Sequence, residues 1–252
     1  MNWLDLPEKE RPNFITLYFS LVDDAGHLYG TKTEDIEKTV QKADSLLGYL
    51  RNQIAKRALP INLIVVSDHG MMNMPNEKQH FLPLEELADV KEDTTIQYTS
   101  SGFQANIYVK DKIKQKKIVQ SIQKSIHKDK YNVYLKKNTP KYWGYRNSEL
   151  VGDIIVEAKH PYYVGGIDAL NKTKKQLRTG QHGYDVKKYS EMGGVFFAVG
   201  PNIIPQPKPI DALENVNIYT LITKILELKY SHKIDGKKKY WKNIYKKNNI
   251  QK

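Results

Sequence analysis

The sequence predicts an α/β fold, with a mostly parallel sheet flanked by helices and a small inserted α+β subdomain. Three observations carry that expectation. Residues 13–19 (NFITLYF) and 61–66 (INLIVV) are short apolar runs rich in β-formers, each ending in polar, glycine-bearing sequence. A helical pattern stands between them, so strand, helix and strand follow at the spacing of a βαβ unit with a parallel, right-handed crossover. Farther on, strand-like runs at 105–109 and 131–135 bracket a helix-periodic stretch, which is the pattern of an α+β insertion over residues 80–150.

The elements follow in order. In the first helix Ile36, Val40, Ala43, Leu47, Leu50 and Ile54 recur at steps of three and four, and Thr31 with Glu34 offers a capping box at its start. Pro60 closes the linker to the second run. Ile118, Ile122 and Ile126 mark the inserted helix, and residues 153–158 (DIIVEA) read as a further short strand. Residues 193–200 (GGVFFAVG) are the last strong strand, followed by a loop holding Pro201, Pro205, Pro207 and Pro209. A final helix over 216–228 presents Ile218, Leu221, Ile222, Ile225 and Leu228 on one face. One α/β body over 1–228 and a basic tail over 229–252 is the economical division.

Composition narrows the function classes. The chain has 252 residues, 40% hydrophobic and 27% charged, so it can bury a core and is not a disordered segment. No run approaches the ~18 apolar residues of a membrane span, and the polar start, with Asp5, Glu8 and Glu10, has no signal-peptide core. With no cysteine, any metal must be held by histidine and carboxylate. The net charge of +12 invites a nucleic-acid reading, but residues 229–252 hold nine lysines against one acid, Asp235. The excess is therefore terminal rather than a groove. Its tyrosines and Trp241 can stack on bases, yet a solubilising end accounts for it as well.

Three of the seven histidines lie in segments with an adjacent glycine. They are His27 in Asp23-Asp24-Ala25-Gly26-His27, His69 in Asp68-His69-Gly70, and His182 in Gly180-Gln181-His182-Gly183. In a parallel α/β sheet such segments gather at the strand ends, where ligands bind. Imidazole and carboxylate without sulfur suit zinc, with manganese or another divalent ion as alternatives. Each motif alone is also a common turn or helix cap. His80, His127, His160 and His232 stand in loops or lysine-rich ends and read as solvated or capping groups.

The motifs together resemble the type I phosphodiesterase/nucleotide pyrophosphatase family of the alkaline phosphatase superfamily. The resemblance runs through Trp3-Leu4-Asp5-Leu6-Pro7, Glu10-Arg11-Pro12, Asp23-x-x-Gly26-His27-x-x-Gly30, Ser67-Asp68-His69-Gly70-Met71 and Gly180-x-His182-Gly183-Tyr184-Asp185. Gly152-Asp153-Ile154, Phe197-Ala198-Val199-Gly200-Pro201 and Asn215-Val216-Asn217-Ile218-Tyr219 agree in order. It implies an alkaline-phosphatase-like fold, of which 1–228 is the carboxy-terminal part of the catalytic domain and the amino-terminal part is missing. It implies hydrolysis of phosphodiester or pyrophosphate bonds in nucleotide-type substrates through two zinc ions. Asp23, His27 and His182 would hold one ion, and Asp68 and His69 the other.

The same resemblance leaves gaps. The nucleophilic threonine and a further aspartate ligand belong to a family segment preceding the matched part, and Thr16, Thr31 and Thr33 stand in the wrong motif context. The chain alone is then expected to be inactive and to need a separate amino-terminal half, or to be a non-catalytic metal-binding remnant. A basic nucleic-acid-binding protein is the remaining alternative. Tyr184 and Asp185 either line the pocket or form a turn. Family members are mostly periplasmic, secreted or membrane-anchored, and no transmembrane segment stands in this chain.

Overall fold

A computed structural model describes residues 2–75, 77–87, 90, 93–167, 179–230 and 233–247. Along the chain the main elements are α1 (Leu21–Tyr29), α2 (Glu34–Ala55), β1 (Leu63–Val66), β2 (Met72–Asn73), β3 (Phe81–Pro83), α3 (Leu84–Leu87), β4 (Gln97–Ser100) and β5 (Gln104–Tyr108). There follow α4 (Lys112–Lys124), β6 (Tyr131–Leu135), β7 (Ile154–Ala158), β8 (Tyr163–Gly165), β9 (Gly180–Gln181), β10 (Phe196–Val199) and α5 (Ile218–Ile225). No helix among the described residues is long and apolar enough to cross a membrane. The chain divides into two units, 1–20 with 40–68 and 194–252, and 21–39 with 69–193.

The first unit is built on β1 and β10, paired antiparallel from Leu63 with Val199 to Val66 with Phe196. Alternate residues of β10 point opposite ways, so Phe196 and Ala198 join Ile64 against a core of Ile203, Leu221, Trp241 and Ile244. Phe197 and Val199 stay exposed. Trp241 is wholly buried. Its indole N–H donates to the Asn217 carbonyl at 3.0 Å and to Thr220 Oγ1 at 2.8 Å, which removes the cost of burying that donor. The lysine-rich segment after residue 228 thus carries part of this unit's core.

Residues 13–19 form no strand, contrary to the sequence expectation. They pair with no strand and make no backbone hydrogen bond among the described residues. Phe14, Leu17, Tyr18 and Phe19 are exposed. The apolar, β-branched pattern reports side chains suited to a buried sheet, but a strand also needs an edge to pair with. A cavity of about 680 Å³ lies within this unit, lined by Trp3, Phe14, Leu17, Leu63, Val66 and Ile222 among others.

The second unit holds a four-stranded antiparallel sheet in the order β4-β5-β7-β6. Every residue of β7 is buried, as an interior strand covered on both faces requires. Ile118 and Ile122 of α4 pack with Ile107, Ile154 and Val156 in its core. Asp111 caps α4, its side chain accepting from the N–H groups of Ile113 and Lys114. The helix stops at Lys124, one residue before the Ser125 C-cap, so Ile126 falls outside it and is exposed.

The mostly parallel sheet is not what the described strands form. β1–β10, β2–β9 and the four-stranded sheet pair antiparallel, and β3–β8 pairs parallel. The helix expected between 13–19 and β1 is present as α2, but without a first strand there is no βαβ unit. Its cap also differs. Thr33 Oγ1 accepts from the Ile36 N–H at 3.3 Å, whereas Thr31 donates its N–H to Asn73 Oδ1 at 2.5 Å. Thr31 lies too far ahead of the helix start at Glu34 to serve as its cap.

Candidate metal centre

The candidate ligands of the second unit are set by one short helix and a two-stranded ribbon. Asp23 and His27, expected in a loop, lie on α1. Two acidic residues in its first turn, Asp23 and Asp24, complement the positive helix start. Four residues apart, Asp23 and His27 share one helix face.

β2 and β9 secure the other end of α1. The Thr179 N–H donates to the His27 carbonyl at 3.0 Å, and Thr179 Oγ1 donates to the Leu28 carbonyl at 2.8 Å. These bonds satisfy carbonyls that a helix C-terminus leaves open. A Cβ on Gly180 would stand 2.2 Å from the Gly26 carbonyl oxygen, so only glycine allows helix and ribbon this close.

That approach fixes the His27 ring. Its Nδ1 lies 2.7 Å from the Gly180 carbonyl oxygen. A carbonyl only accepts, so Nδ1 carries the proton and Nε2 the lone pair. His69 has the same arrangement, with Nδ1 donating to the Gly70 carbonyl at 2.9 Å.

The Nε2 atoms meet one carboxylate. Asp23 Oδ2 is 3.6 Å from His27 Nε2, and Asp23 Oδ1 is 3.7 Å from His182 Nε2 and 4.0 Å from His69 Nε2. The His69 and His182 rings stack at 3.5 Å between centroids. Asp23, His27 and His182 each present a ligand atom within 4.8 Å of the others. Asp23 Oδ1 is buried and accepts no hydrogen bond. An orphaned carboxylate oxygen facing imidazole Nε2 atoms fits a divalent ion of the zinc type.

Asp68 belongs to the first unit and directly precedes His69 in the chain. The other described histidines stand apart from this cluster. His160 Nε2 donates to the Asn73 carbonyl at 2.8 Å, and His80 Nδ1 lies 3.9 Å from Glu77 Oε2. His127 stands at the start of a single 3₁₀ turn. His232 lies outside the described residues.

Of the two readings of Tyr184 and Asp185, the structure favours the turn. Tyr184 is buried, its hydroxyl donates to the Tyr162 carbonyl at 2.8 Å, and burial pushes its phenol above the usual range. Asp185 Oδ1 accepts from the Lys187 N–H at 2.9 Å, and Tyr142 donates its hydroxyl to Oδ2. Thr179 went unread in the sequence, because no motif marks a residue whose role is to cap a helix 150 positions away.

The model of the type I phosphodiesterase/nucleotide pyrophosphatase family matches residues 1–185. Venom phosphodiesterase 2 of Crotalus adamanteus is 28% identical over 239 residues, covering 91% of this chain and 28% of that protein. Ectonucleotide pyrophosphatase/phosphodiesterase family member 7 of Rattus norvegicus is 27% identical over 229 residues, covering 90% of this chain and 49% of the relative. The solved structure of human ectonucleotide pyrophosphatase/phosphodiesterase 5 superposes with a TM-score of 0.73 at 21% identity, covering 89% of this chain and 56% of that one. The inactive murine counterpart, solved in complex with AMP, gives 0.72 at 24% identity. These likenesses show an α/β, alkaline-phosphatase-like fold. The chain spans between about a quarter and a half of the curated relatives' length.

Proposed function

The chain belongs to the type I phosphodiesterase/nucleotide pyrophosphatase family, and we propose that it contributes the metal-binding part of a hydrolase acting on phosphodiester or pyrophosphate bonds of nucleotide-type substrates. The observation that carries the proposal is the buried Asp23 Oδ1, which accepts no hydrogen bond and faces the Nε2 atoms of His69 and His182. Asp23, His27 and His182 hold one zinc ion, and Asp68 and His69 serve a second. Zinc bound there would supply Lewis acidity toward phosphoryl oxygen and lower the pKa of bound water.

The chain's own residues do the positioning. Gly180 and Gly70 carbonyls hold the Nδ1 protons of His27 and His69, so each ring turns Nε2 toward the cation. Asp23 supplies the negative charge that offsets the cation's cost among imidazoles. The matched motifs assign no nucleophile. That threonine and a further aspartate come from polypeptide outside the matched motifs, in the same product or in a separate amino-terminal half. The exposed apolar run at 13–19 and the cavity beside it support a complementary polypeptide.

The same ligand set without turnover defines a second reading, a metal-binding protein that catalyses nothing by itself. Zinc binding tests the part common to both. Asp23→Asn and His182→Ala are each expected to weaken zinc more than ~100-fold, beyond the 10–100-fold of groups that only orient ligands. Unchanged zinc affinity in both variants refutes the site. Hydrolysis of a nucleotide p-nitrophenyl ester, absent for the chain alone and present with an amino-terminal half co-expressed, separates the two readings.

A further inference from the structure

We propose that Asp185, through Lys188 and Glu157, is a positioning residue for His182, part of an ionic clasp of two buried carboxylates on one exposed ammonium that aims this imidazole at its ion. The proposal rests on the reading of His182 as a metal ligand. It adds a function to charges that the metal site itself does not use.

The clasp joins the His182 loop to the interior of the four-stranded sheet. Glu157 lies on β7, and its side chain is 6% exposed, while the Asp185 side chain is 1% exposed. Lys188 Nζ stands 2.9 Å from both Glu157 carboxylate oxygens and 3.7 Å from Asp185 Oδ2. Asn132 Nδ2 donates to Glu157 Oε2 at 2.8 Å, and the Tyr134 hydroxyl at 3.3 Å. Asp185 takes its remaining bonds from the Tyr142 hydroxyl and the Lys187 N–H. Burial opposes the charge on Lys188, but the Glu157 hydrogen bond and charge outweigh it and hold the ammonium's pKa above its usual value.

Only Gly183 and Tyr184 separate His182 from Asp185. Gly183 has φ +102°, and a Cβ there would meet the Phe103 ring at 2.2 Å. Tyr184 is held through its hydroxyl on the Tyr162 carbonyl. With so short a connection, the place of Asp185 bears directly on the place of His182. Two buried carboxylates sharing one ammonium are a poor source of stability, since well-packed apolar residues of similar volume often do as well or better. Directional bonds fix a loop's position where apolar packing does not. Groups that orient metal ligands typically affect affinity 10–100-fold.

The test compares zinc affinity, by competition with a chromogenic chelator, with the melting temperature of the metal-free chain. Asp185→Asn keeps shape and an acceptor oxygen but removes the charge facing Lys188. Tyr142→Phe removes one donor from a half-exposed ring. We expect Asp185→Asn to weaken zinc at least ~10-fold and Tyr142→Phe to weaken it less. Metal-free melting of Tyr142→Phe should stay near wild type, and Asp185→Glu should recover part of the affinity. Wild-type affinity in both variants, with zinc lost in His182→Ala, overturns the clasp and leaves the site standing. Should Asp185→Asn fail to fold, wild-type affinity in Tyr142→Phe alone overturns it. Wild-type affinity in His182→Ala overturns the site, and the clasp with it.

Discussion

Asp23 turns one oxygen to His27 and the other to His69 and His182. Such a contact set cannot be seen in a sequence, but its members can. All three histidines stand beside glycine, and the motifs of His27 and His69 carry Asp23 and Asp68 with them. Asp185 and Glu157 were not legible as a pair. They come from a loop and an interior strand that only the tertiary fold unites. Another residue-scale device has a defined pH signature. Asp93 is held down to about 2 by the hydrogen bond from Lys114, then by those from Thr95. A carboxyl whose folded pKa lies below its unfolded value, near ~3.9, stabilises above that value and loses the contribution as pH falls through the folded one. Asp93→Asn is accordingly expected to flatten the fall in melting temperature between about pH 4 and pH 2.

The elements show which patterns transfer from sequence to structure. The strands β5, β6, β7 and β10 formed where period-two or continuous apolar runs placed them, and β5 and β7 are the interior strands of the four-stranded sheet. α2 formed on its apolar stripe, with Thr33 as its cap; Thr33→Ala should cost about 1 kcal/mol, read as a lowered melting midpoint. Residues 13–19 carry an equally strong strand pattern and formed none, because pairing is a property of two segments. α1 was hidden for the opposite reason. Its nine residues are too few to show helical periodicity. In the lysine-rich segment the charges obscured Trp241. Trp241→Ala should destabilise the first unit by about 3–5 kcal/mol in denaturant unfolding, while Lys239→Ala should leave it nearly unchanged.

For the molecule as a whole, the exposed apolar residues matter more than the net charge of +12. Phe14, Leu17, Tyr18 and Phe19 are exposed at one end of the first unit's sequence, and Phe197 and Val199 along β10. A surface of this kind is what the complementary polypeptide proposed above would cover. The isolated chain is expected to bind an apolar fluorescent dye, and Leu17→Ser with Phe19→Ser to reduce that signal. An unchanged signal in the double variant would place the dye site elsewhere. The central claim, that Asp23, His27 and His182 form a metal centre, is tested most directly by titrating the chain with cobalt(II) and recording its visible spectrum. The first equivalent should raise the intense d–d absorption of a low-coordinate nitrogen and oxygen site, and His182→Ala should abolish it. A spectrum that remains that of aqueous cobalt throughout the titration would contradict the account.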